Sequence, residues 1–168
     1  MTKFEVLDSI KYICLRKRLK GELYKLLSLY DNIYVSNEED KIIFIIEKKI
    51  NKKKIIYKFI ISNNYPYNPP SVYINNINYG QYLNCPNKFL NILKYLRGID
   101  CFCCVSYTCK PNWNPCMNLN HIIEEFENII DTKYNIMLKI FLDKIKEKFL
   151  NMDIELDSWL FNRSHKIK

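Results

Sequence analysis

Five of the seven cysteines lie between residues 101 and 116: Cys101, Cys103, Cys104, Cys109 and Cys116. A thiolate is a strong nucleophile and a good leaving group, so one of them could carry an acyl group as a thioester. Zinc is the second chemistry, since it takes four tetrahedral thiolate or imidazole ligands, commonly in Cys-x2–4-Cys pairs. Cys101, Cys104, Cys109 and Cys116 offer such a set, with two, four and six residues between them, and Cys103 could replace Cys104. Cys101 and Cys104 make a regular Cys-x-x-Cys, whereas the later pair is looser than a usual zinc knuckle. A metal would quench the thiol it ligates, so the two chemistries compete for Cys104. The plainest alternative is a set of small buried apolar groups, which is what free cysteine usually provides. The two histidines, His121 and His165, stand in no Ser-His-Asp arrangement.

The bulk numbers narrow the classes. With 168 residues, 48% hydrophobic and 26% charged, the chain reads as one globular domain. Only three glycines occur, and neither a GxxxxGK[ST] nor a GxGxxG string is present, which argues against a phosphate-cradling loop. The formal charge is +8, but the lysines are dispersed apart from a run at Lys48–Lys54 and the last helix. Solvated lysines are the ordinary explanation, and nucleic-acid binding is the weaker expectation. The first ten residues carry charges where a secretory core would be apolar, and no stretch approaches the ~20 apolar residues of a membrane span. The expectation is therefore an intracellular protein, cytoplasmic or nuclear, whose odd number of cysteines stays as thiols.

These cysteines need elements to position them. Residues 8–30 read as an amphipathic helix with Asp8 as N-cap; Leu19, Leu23 and Leu26 lie on its apolar face. Strands are expected at 32–36, 41–49, 53–62 and 71–75, rich in Ile, Phe and Tyr and too closely spaced for parallel crossovers. A solvated hairpin tip suits the lysine run. Between the third and fourth strands, YPYNPP (65–70) makes a rigid corner, because proline fixes its own backbone and extends the residue before it. A helix follows at 88–98, with Gly98 placed to stop it. The segment 101–117 is loop-like. Asn118 or Asn120 can cap a helix through HIIEEFENII, with Glu124 and Glu125 near its start, and a further helix covers 131–151. Trp113 reads as an anchor of its loop. The tail, 152–168, holds Trp159, Leu160 and Phe161, which are expected to pack.

In order, these features resemble the ubiquitin-conjugating enzyme family over nearly the whole chain. YPYNPP at 65–70 is similar to the family's YPFxPP. CVS at 104–106 looks like its catalytic Cys-Leu-Asp/Ser, WNP at 113–115 like its Trp-Ser-Pro, and NLNHIIEEF like the helix that follows. The resemblance implies an α+β fold: an N-terminal helix, a four-stranded antiparallel meander, a cysteine loop and C-terminal helices. It implies a single domain over 1–168, with 76–100 as a possible insertion.

It also implies roles. Cys104 would accept ubiquitin or a ubiquitin-like protein as a thioester and pass it on, with no cofactor required. Ser106 would be a polar gate beside it. An activating enzyme would meet the basic N-terminal helix at Lys11, Arg16, Lys17 and Lys20, and a ligase would read the corner at Tyr65, Pro66, Pro69 and Pro70. The chain departs from the pattern in three places. The family's Tyr-His-Pro-Asn would fall on Tyr79, Gly80, Gln81 and Tyr82, so its asparagine is missing, and Cys85-Pro86-Asn87 leaves Asn87 as the nearest echo. The stretch between the fourth strand and the cysteines is long. Cys104 lies nine residues before Trp113, where the family commonly has eight. These departures keep a second reading open: a catalytically inactive relative, an interaction module whose cysteines brace the loop, with or without zinc.

Overall fold

The computed structural model, which describes residues 2–38, 41–50 and 53–150, is built on an antiparallel meander of neighbours in chain order. Its strands are β1 (Asn32–Glu38), β2 (Lys41–Ile50), β3 (Lys53–Ile61), β4 (Ser71–Ile74) and β5 (Ile77–Asn78). The register explains the core. Phe44 pairs with Phe59, Ile46 with Tyr57 and Phe59 with Val72, and all of these side chains are buried on one face. Alternate residues point to opposite faces of a strand, so this pairing stacks large apolar groups across neighbouring strands. Burying each such side chain stabilises the fold by roughly 1.5–3 kcal/mol.

The fifth strand, where four were expected, follows from a turn. Asn75 and Asn76 adopt φ of 50° and 65°. Two successive positive-φ residues between strands match the I′ hairpin turn that asparagine favours. The backbone and side chain of Asn75 also bond Ile56, extending the ladder (both 2.9 Å).

The expected first helix is two helices, α1 (Lys3–Asp8) and α2 (Ile13–Leu27). Asp8 ends α1 and does not cap; Thr2 caps it, in a reciprocal box with Glu5. The break is sealed by Arg16, whose guanidinium donates to the Ile10 carbonyl (Nε 3.0 Å), and by the Lys20–Asp8 ion pair at 2.6 Å. The segment beyond β5 holds α3 (Tyr79–Leu83) and α4 (Asn87–Arg97). Gly98 ends α4 in the left-handed region at φ 69°, donating to the Lys94 carbonyl at 2.8 Å. A short α5 (Phe102–Val105) follows, then α6 (Leu119–Leu150). Two C-terminal helices were expected where α6 is one; no proline or glycine interrupts residues 119–150.

The chain divides into two units, Met1–Ile129 and Ile130–Lys168. The first holds the sheet, α1 to α5 and the start of α6. In the second, Ile136 is buried, while Tyr134, Met137 and Phe141 are exposed. The tail residues Trp159, Leu160 and Phe161, with His165, lie outside the described residues. Among the described residues no helix is long and apolar enough to cross a membrane.

Candidate cysteine-loop site

The frame of the site is a buried carboxylate. Glu22 on α2 is only 3% exposed. Its Oε1 accepts from the Tyr65 hydroxyl and from Arg18 Nε (2.9 Å), and its Oε2 accepts from the Leu119 amide (2.9 Å). Arg18 also donates to the Met117 carbonyl and lies over the Tyr65 ring, 5.8 Å from its centroid. Burial, and then the Glu22 charge, push the Tyr65 phenol well above its ordinary pKa. Trp113 Nε1 donates to the Pro66 carbonyl at 2.6 Å, with its ring 6.0 Å from that of Tyr65. One hub therefore joins α2, the proline corner (where the Tyr65–Pro66 bond is cis), the Trp-x-Pro turn and the start of α6.

The α6 start is capped by Asn118, whose Oδ1 accepts from the His121 amide while His121 Nδ1 accepts from the Asn118 amide (both 3.2 Å). His121 is thus part of a cap. Tyr30 adds a bond to Asn120 Oδ1 at 2.7 Å.

The cysteine loop hangs between these anchors. Cys101 caps the one-turn α5, its Sγ accepting from the Cys104 amide at 3.3 Å. That turn brings Cys103 Sγ to 2.7 Å and Cys104 Sγ to 2.9 Å from Cys101 Sγ, with 3.9 Å between the other two. With all three protonated, the Cys101 S–H lies towards Cys104. On ionisation the charge settles on Cys101. Hydrogen bonds from the Cys103 and then the Cys104 thiols hold Cys101 below its ordinary pKa. The same bond to Cys101 raises Cys103, and with Cys103 it pushes Cys104 up to about 12.

The backbone around this turn is clamped. Asn112 Nδ2 donates to the Cys104 carbonyl (2.6 Å) and the Ser106 carbonyl (3.2 Å). The Tyr107 amide donates to Glu125 Oε2 at 3.0 Å. Phe102 is buried, 6.4 Å from the Phe89 ring of α4, and α3 also packs against α5. The segment beyond β5 therefore packs against the loop through α3 and α4.

Several expected site residues sit differently. Ser106 is fully buried and hydrogen-bonded to Thr108 Oγ1 at 2.9 Å, so it is a strut of the loop and not a gate at its surface. Tyr65 and Pro70 are buried and Pro66 and Pro69 half-buried, which leaves Tyr67, 79% exposed, as the open side chain of the corner. Arg16 and Lys20 are used within the fold, whereas Lys11 and Lys17 are exposed. Asn87 is exposed at the start of α4. The four-cysteine metal set also changes. Among the described residues the metal-capable group is Cys101, Cys103 and Cys104, their sulfurs all within 4.8 Å. Cys109 and Cys116 fall outside it. The chain turns at Cys109, whose carbonyl accepts from the Asn112 and Trp113 amides (2.9 and 3.1 Å), and Cys116 lies beyond that turn.

Glu22, Arg18, Asn112 and Glu125 were not legible as site residues. Only the position of Asn112 beside Trp113 gave a hint. A buried acid within a helix looks like a solvated one until its partners are placed. No protein-family model, curated protein or solved structure matches this chain.

Proposed function

We propose that this protein is a ubiquitin-conjugating-enzyme-like carrier, accepting a ubiquitin-like protein as a thioester on Cys104 and passing it on. One observation carries the reading. Three of the four blocks that resemble the family in sequence are bonded to one another in space: the Tyr65 hydroxyl and the Leu119 amide share Glu22, and Trp113 holds the Pro66 carbonyl. The exposed Cys104 stands on the loop strung between them. In the reaction, Cys104 sulfur forms a bond to the carrier's C-terminal carbonyl, the activating enzyme's thiolate leaves, and that departing thiolate takes the Cys104 proton. An amine or a second thiol then takes the acyl group.

The test is a charging assay with activating enzyme, ATP and ubiquitin or its relatives, read on non-reducing gels. The expected result is a thiol-sensitive adduct lost in Cys104→Ala and kept in Cys101→Ala. An adduct that persists in Cys104→Ala overturns the assignment. Absence of any adduct across the panel of carriers favours the second reading, an interaction module. That reading draws support from the missing His-Pro-Asn and from the three converging thiols, which zinc would cross-link.

A further inference from the structure

We propose that Cys101, Cys103 and Cys104 form a three-thiolate site for a thiophilic d10 cation, with Zn2+ as the defining probe. The site goes beyond the carrier reading and does not depend on it. A tetrahedral zinc with Zn–S near 2.3 Å sets its sulfurs about 3.8 Å apart. The Cys103–Cys104 edge already measures 3.9 Å. The two edges to Cys101, at 2.7 and 2.9 Å, need to open by about 1 Å, which rotation of side chains at the surface supplies.

The backbone that bears them is already fixed. Phe102 and Ser106 are buried, Asn112 grips the Cys104 carbonyl, and Glu125 grips the Tyr107 amide. A preordered loop loses little conformational freedom on binding, which favours affinity. Binding releases the thiol protons to solvent, leaving three thiolates on the metal. Because Cys103 and Cys104 are exposed, the fourth position opens to water or an incoming thiol. If the carrier reading holds, occupancy withdraws the Cys104 sulfur from acyl transfer.

The experiment is a zinc titration of the reduced, chelator-stripped full chain against a chromogenic competitor, with stoichiometry from native mass spectrometry. The chain should bind one equivalent, and Co2+ should give thiolate charge-transfer absorption. Cys101→Ser, Cys103→Ser and Cys104→Ser should each weaken zinc by more than about 100-fold, since even outer partners of a metal site cost 10–100-fold. Cys109→Ser and Cys116→Ser should leave affinity unchanged. Circular dichroism of each variant, and wild type with its thiols alkylated, separate ligand loss from unfolding. No zinc retained by the native chain overturns the proposal, and so does an equal loss in Cys109→Ser or Cys116→Ser. Charging is scored separately on metal-free protein, so failure of the carrier reading and failure of the metal site give different results.

Discussion

Glu125 is the residue whose chemistry is least settled by its neighbours. Its Oε2 holds the Tyr107 amide, and its Oε1 is buried beside the Tyr79 hydroxyl. Burial raises its pKa above the usual carboxylate value. A carboxyl raised on folding favours the folded state at low pH, and that contribution is lost as pH rises through the folded pKa. Glu125→Gln keeps an oxygen for Tyr107 and removes the charge. It should match wild type near about pH 4 and exceed it by roughly 1 kcal/mol near about pH 8, as read from urea midpoints. A gap that narrows with rising pH would contradict the assignment. Burial also bears on sequence reading: Glu124 and Glu125 looked alike as acids near a helix start, and only the packing above α6 separates them.

At the scale of elements, Glu22 is the joint between α2, the proline corner and α6. Glutamine in its place cannot accept from Tyr65, Arg18 and Leu119 together, and it leaves the Arg18 charge, 28% exposed, without its partner. Glu22→Gln should therefore cost about 3 kcal/mol in denaturant unfolding, the scale for breaking a buried pair. Restoring an apolar pair, Glu22→Leu with Arg18→Leu, should recover part of the loss; a variant within 0.5 kcal/mol of wild type, roughly the scatter of surface changes, would refute the joint. Elements were read unevenly. Gly98 marked the end of α4 because αL backbone is cheapest for glycine. The break between α1 and α2 left no such mark: Arg16 closes it from six residues away.

For the unit Met1–Ile129 as a whole, stability rests on one apolar face of the sheet. Phe59 is fully buried, opposite Phe44 on one strand and Val72 on the other. Phe59→Ala should lower stability by about 3–5 kcal/mol and lower the temperature midpoint. If the carrier reading and the metal site hold, acyl loading and zinc binding should then fall only as the folded fraction falls. A site lost while circular dichroism stays native would mean that the sheet does more than support.

By itself the sequence determined the antiparallel strands, the rigid corner and the end of α4. Alternating Ile, Phe and Tyr, adjacent prolines and a lone glycine act within a few residues of where they stand. Tertiary structure decided the rest. It buried Glu22, took Tyr65 out of reach of a partner, and turned Ser106 into a strut. It also drew Cys103 into the thiol group and left Cys109 and Cys116 out. Spacing along the chain bounds which thiols can meet, but a one-turn helix and the two clamps on its flanks fix which sulfurs do, and those clamps come from Asn112 and Glu125.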